Sequence, residues 1–182
     1  MRERMLAGEA YQADDPEITA DQERAARLME RFNASRADDP AGRLAALREL
    51  LGSVGDQSWV RPPLYCDYGY RIHLGPRSFV NYHAVLLDVA PITIGADVQL
   101  GSNVQLLTPT HPVEPGPRRD KWEGSAPITI GDNVWLGSGV IVLAGVTIGA
   151  NTVVGAGTVV TRDLPANVVA VGNPARVIRT FD

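Results

Sequence analysis

The chain is short of cysteine, lysine, histidine and long apolar runs, and each shortage excludes something. Cys66 is the single cysteine, so no internal disulfide can form, and this usage fits a reducing cytoplasm. Cys66 is expected to be a small packed residue near the start of the repeat region rather than a nucleophile. No run of about 20 apolar residues occurs, and the first residues lack the charged-then-apolar pattern of a secretion signal. A cytoplasmic protein without a membrane span is therefore expected. Lys121 is the only lysine, arginine carries the other positive charges, and the net charge is −4. That balance argues against nucleic acid or an anionic membrane as the main partner.

What is present is a period of six. From Ile130 to Pro165 the chain divides into six hexads. Their first positions are Ile130, Leu136, Val142, Ile148, Val154 and Val160, all aliphatic. The second is glycine at Gly131, Gly137, Gly149 and Gly155. The fifth is Val134, Val140, Val146, Thr152, Thr158 and Leu164. A helix needs a period of about 3.6 and an alternating strand a period of two. A sustained hexad instead marks a β-solenoid. Three hexads make one triangular coil, so residues eighteen apart stack. First-position aliphatics and small fifth-position side chains point inward. The second-position glycines are expected to turn the corners at φ values that disfavour a Cβ.

The repeat does not fill the chain. Residues up to about 52 read as helical: Met1 to Tyr11, then a helix capped by Thr19 or Asp21 with Ala25, Leu28, Met29 and Phe32 on one face. A further helix from Pro40 to Leu51 follows, striped by Leu44, Leu47, Leu50 and Leu51. The hexad frame then runs through Leu74, Val80, Leu86 and Ile92, slips by two residues to Ile94, and continues at Leu100 and Leu106. The slip around Ala90 and Pro91 predicts an irregular coil. Residues 109–127 carry five prolines and no hexad, and His111 stands at the mouth of this excursion. A long departure from a regular solenoid is where function is usually added. A free imidazole titrates near ~6.5, which suits proton transfer near neutral pH. His111 is therefore the candidate general base, a loop histidine between prolines being the plainer alternative.

The stretches Tyr68 to Gly75, Phe79 to Asp88, Thr110 to Pro112, Pro127 to Gly137 and Gly172 to Ile178 resemble the maltose/galactoside O-acetyltransferases, a family of hexapeptide-repeat acyltransferases. The resemblance covers nearly the whole chain, including Leu6 to Glu9. It implies a mainly β fold, a left-handed parallel β-helix with an N-terminal helical cap. It implies a helical region over residues 1–55 on the acceptor side and a β-helix domain over 56–182 with the excursion loop 109–127. It further implies a homotrimer with active sites between subunits, and transfer of acetyl from acetyl-CoA to a sugar hydroxyl without a metal.

The same resemblance distributes the roles. His111 deprotonates the attacking hydroxyl and then protonates the departing thiolate. Asn81 holds and orients the sugar hydroxyl. Asp67 and Asp88 are candidate acceptors of sugar hydrogen bonds, and Trp122 and Glu123 candidate walls of the sugar pocket. For acetyl-CoA, Ser138 is expected at the thioester oxygen and Ala156 along the pantetheine arm. Thr161, Arg162, Arg176 and Arg179 gather near the end of the solenoid, where cations can meet the CoA phosphates. Two family positions differ: where Asp and Arg contacts are expected, Ala13 and Gln22 stand, which weakens a galactoside assignment. A xenobiotic or lipo-oligosaccharide acceptor and a non-catalytic trimeric scaffold remain alternatives. A carbonic-anhydrase-like zinc enzyme on the same solenoid would need three histidines around the metal. His73, His83 and His111 offer no close pair on one coil.

Overall fold

The computed structural model describes residues 1–181. Its centre is a prism of three parallel sheets, wound from strands of two to four residues. The first face stacks Ser53–Val54, Ile72–Leu74, Ile92–Ile94, Ile128–Ile130 and Thr147–Ile148. The second stacks Trp59–Val60, Phe79–Val80, Gln99–Leu100, Trp135–Leu136, Val153–Val154 and Val168–Val171, with Arg176–Thr180 added antiparallel at its end. The third stacks Leu64–Cys66, Ala84–Leu87, Gln105–Leu107, Ile141–Val142 and Val159–Val160. All six first-position aliphatics of the hexads are buried, as are the fifth-position side chains from Val134 to Leu164. Burial of each large aliphatic is worth about 1.5–3 kcal/mol, so this inward column is the main cohesive element.

The glycines work differently from the sequence expectation. The left-handed backbone lies at the fourth position of the hexad, at Asn133, Gly139, Gly145, Asn151 and Gly157, with φ between 56° and 81°. Asparagine tolerates that region and glycine adopts it freely. The second-position glycines have no positive φ. They are small because the next coil passes close by: a Cβ on Gly137 would lie 2.6 Å from the Ala156 nitrogen, and one on Gly149 2.4 Å from that of Ala166. Coil spacing therefore selects these glycines.

The slip in the frame is not a single irregularity. Ile130 pairs with Ile148, eighteen positions on, whereas Leu74 pairs with Ile94, twenty positions on. Cys66 likewise pairs with Leu86 and Leu86 with Leu106, each twenty apart. The extra residues fall at the corner between the third and first faces, once at residues 67–71 and again at 88–91. The excursion of 109–127 leaves from that same corner. One edge of the prism thus takes up every lengthened coil, while the faces keep their register.

Three N-terminal helices precede the prism: α1 (Arg2–Leu6), α2 (Pro16–Asn33) and α3 (Pro40–Leu50). The first is shorter than expected, because Tyr11 belongs to an extended pair, Tyr11–Gln12. The α2 cap is Asp15, not Thr19 or Asp21. Its carboxylate accepts from the Glu17 backbone nitrogen at 2.8 Å, and Pro16 fills the first turn, where a missing N–H costs nothing. Asp39 caps α3 in the same way, through the Gly42 nitrogen at 2.8 Å. Ala25, Leu28 and Phe32 of α2 join Leu47 and Leu50 of α3 and Val60, Leu64 and Ile72 of the first two coils in one continuous apolar core. The helices close the open end of the sheets, where unpaired strand edges would otherwise be exposed. Cys66 faces this core as expected. Burial, and then the carboxylates of Asp88 and Asp67, push its thiol up, which removes it as a nucleophile.

Candidate active site

The excursion forms a small sheet outside the prism. Pro109–Thr110 runs antiparallel to Trp122–Ser125, and Trp122–Ser125 in turn pairs with Tyr11–Gln12 from the N-terminus. A short helix, α4 (Pro115–Arg119), closes the loop, and Arg118 donates to the carbonyls of Pro112 and Val113 at 3.0 and 2.7 Å. The N-terminal arm holds this loop at several points. The Tyr11 hydroxyl donates to Glu123 Oε2 at 2.6 Å, Gln12 Nε2 donates to the Asp120 carbonyl at 2.7 Å, and the Arg4 guanidinium lies 5.8 Å from the centre of the Trp122 ring.

Between this sheet and the lengthened corner lies a cleft of about 210 Å³, lined among others by Tyr11, Gln22, Asp67, Tyr68, His111 and Glu123. Of the sequence-derived site residues, His111, Asp67 and Glu123 therefore meet. Trp122 belongs to the same loop but is not part of the cleft wall. Tyr11 and Tyr68 are cleft residues that the sequence reading missed. Both are buried, and burial pushes both phenols up, further helped at Tyr11 by the hydrogen bond to Glu123. The two-residue excess at 67–71 was the one available signal for Tyr68.

Asp88 does not reach the cleft as a sugar ligand. It is fully buried, and its oxygens accept from the backbone nitrogens of Asp67 at 3.1 Å, Tyr68 at 2.9 Å and Arg71 at 3.1 Å. A carboxylate that satisfies three N–H groups fixes the corner in place. Its work is to present Asp67 and Tyr68. Asp67 itself has its Oδ2 buried with no hydrogen-bond partner among the described residues. Burial, then the neighbouring charges of Asp88 and Glu123, push its carboxyl up to about 6. An under-satisfied acceptor facing a cleft suits a ligand that brings hydroxyl donors.

The remaining predicted residues lie elsewhere. Asn81, Ser138 and Ala156 fall at the corner between the second and third faces, stacked along one edge because Val80, Leu100, Leu136 and Val154 are in register. Asn81 Oδ1 accepts from the Tyr82 nitrogen at 2.9 Å, which fixes the side chain at the turn. Ser138 supplies its carbonyl to the Gly157 nitrogen at 3.0 Å in the coil above. Thr161 and Arg162 are exposed on the His111 edge, in the last coil. Arg176 and Arg179 are exposed on the antiparallel strand that ends the second face. Within one chain the candidate base and the Asn81–Ser138–Ala156 row thus occupy different edges of the prism. The three histidines are also apart: His73 lies on the outside of the first face, His83 at the turn after Asn81, and His111 in the cleft.

A hexad prism with a histidine-bearing excursion at one edge defines the class, and the comparisons agree. The model of the bacterial transferase hexapeptide, six repeats, matches residues 127–162, and that of the maltose acetyltransferase hexapeptide capping motif matches residues 4–55. Nodulation protein L of Rhizobium meliloti is 47% identical over 176 residues, covering 97% of this chain and 96% of its own. A maltose O-acetyltransferase crystal structure from Clostridium difficile superposes with a TM-score of 0.98 at 46% identity, covering 100% of this chain and 97% of that one. A galactoside acetyltransferase solved in complex with coenzyme A gives a TM-score of 0.96 at 41% identity, with 100% and 91% coverage. The protein is a hexapeptide-repeat acetyltransferase. It belongs to the maltose/galactoside O-acetyltransferase family.

Proposed function

We propose that this enzyme moves an acetyl group from acetyl-CoA to a hydroxyl of a sugar, with His111 as the general base, at sites completed between the subunits of a homotrimer. The observation that carries the reading is the cleft itself. It sets an imidazole opposite acceptor-rich walls, with Asp67 lacking a protein donor. His111 takes the hydroxyl proton as the oxygen attacks the thioester carbonyl. Collapse of the tetrahedral intermediate breaks the C–S bond, and the same proton passes to the sulfur. The separation of the two edges supports the trimeric reading. A neighbour's Asn81–Ser138–Ala156 edge, brought against the His111 edge, supplies an amide for the acceptor and backbone groups for the thioester. The relatives named for maltose and galactoside support a sugar acceptor, and the coenzyme A complex supports the donor.

The acceptor is not assigned to galactosides. Ala13 and Gln22 both line the cleft in place of the charged contacts expected there. Free-thiol release from acetyl-CoA, measured across a panel of maltose, glucose, galactosides and oligosaccharides with product mapping, tests the reading. Sugar-dependent release with an O-acetyl product is expected; absence of release with every sugar overturns it. For the donor side, Arg176→Ala and Arg179→Ala together are expected to raise the acetyl-CoA KM by about tenfold or more, the loss of one or two charge-assisted phosphate contacts. The acceptor KM should change far less. Movement of the acceptor constant alone would remove both arginines from the phosphate site.

A further inference from the structure

The small sheet outside the prism pairs Tyr11 with Glu123, and His111 follows directly after its outer strand. The pairing of that outer strand ends at Thr110–Gly124, and carried one position further the same register would place His111 across from Glu123. On the other side of the same residue, Tyr11 stands directly across from Glu123. Residues directly opposite on neighbouring antiparallel strands have Cβ atoms about 4.5–5.5 Å apart and share a face. All three line the same cleft. The Tyr11 hydroxyl occupies Glu123 Oε2 at 2.6 Å, and Oε1 makes no hydrogen bond among the described residues.

We propose that Glu123 is the positioning residue for the His111 imidazole, and that Tyr11, reaching over from the N-terminal arm, holds Glu123 in place for that task. This inference rests on the reading of His111 as the base. When His111 takes the acceptor proton it becomes an imidazolium. A fixed carboxylate beside it stabilises that charge and selects the tautomer that leaves the acceptor-facing nitrogen free. A glutamate on a loop strand has rotamer freedom of its own. The Tyr11 bond removes part of it, so the N-terminal helical segment acts on the chemistry through Glu123. The other polar groups at the cleft are Asp67 and Tyr68 from the lengthened corner, with Asp88 beneath them, and Gln22 from α2. None of them belongs to the small sheet.

The test compares wild type with Glu123→Gln and Tyr11→Phe, each nearly isosteric, as full chains with acetyl-CoA and a turned-over sugar. Expected for Glu123→Gln is a fall in kcat on the order of tenfold to a hundredfold, the cost of a misplaced reacting group, with the acetyl-CoA KM unchanged. Tyr11→Phe should lower kcat by a smaller factor and leave both KM values in place. Nitrogen NMR of the imidazoles, of which the chain has only three, gives a readout independent of turnover. The His111 tautomer ratio should change in Glu123→Gln, while His73 and His83 stay as they are. An unchanged His111 spectrum, or a defect confined to the acceptor KM, overturns the proposal and makes Glu123 a direct sugar contact. His111→Ala with undiminished turnover would instead defeat the base assignment on which the proposal stands.

Discussion

Replacing His111 by alanine is expected to lower sugar acetylation by about two to four orders of magnitude, the usual worth of a general base. The fold should survive, because His111 is exposed on the excursion and contributes nothing to the buried column of the prism. Acetyl-CoA binding should also persist, since none of the proposed donor contacts is in the excursion: Ser138 and Ala156 are on the Asn81 edge, Thr161 and Arg162 in the last coil, and Arg176 and Arg179 on the terminal strand. The informative measurement is therefore a pair: kcat for acetyl transfer, and the acetyl-CoA dissociation constant by calorimetry. A large fall in the first with little change in the second is the expected result. Turnover near the wild-type level would remove His111 from the mechanism.

Asp67→Asn should stabilise the protein while it damages the site. Asp67 holds its proton more tightly folded than unfolded, its carboxyl being pushed up to about 6 from an ordinary 3.8. A raised carboxylate pKa adds stability at low pH and loses it as pH rises through about 6. Above that point the folded chain carries a charge in a setting that disfavours it. Two pH units correspond to roughly 3 kcal/mol, and asparagine never carries the charge. The gain should be absent near pH ~4 and fully developed by pH ~7. At this chain length it amounts to roughly 6–12 °C in Tm. Thermal unfolding of both proteins across that range checks it, and a gain independent of pH would assign it to packing instead. Sugar acetylation by Asp67→Asn should fall over the same range, since function and stability pull in opposite directions at such a residue.

The prism was legible because its rule is local and repeated: Ile130, Leu136 and Val142 announce their burial by spacing alone. The helix starts were less so. Thr19 and Asp21 are good cap types, but Asp15 followed by Pro16 satisfies the first turn better, and the choice depends on where the chain enters from Tyr11. The glycines at second positions were identified correctly and explained wrongly. A contact between Gly137 and Ala156 is made by stacking, which a single strand of sequence does not display. At the site, His111 stood out through its place in the excursion. Asp88 did not reveal its inward orientation, because a carboxylate that serves backbone nitrogens looks the same in sequence as one that serves a ligand. Tyr11 was unreadable for a related reason. Its partner, Glu123, lies more than a hundred residues away, and the two meet only once the arm and the loop share a sheet.

Because every lengthened turn is spliced in at a single seam, the rest of the coil never registers the insertion. Strand spacing on the flat sides is indifferent to how much chain is paid out there. That makes the seam a natural graft point, where loops of other lengths could be exchanged to recut the pocket while the coils beneath continue to stack on their nearest neighbours alone.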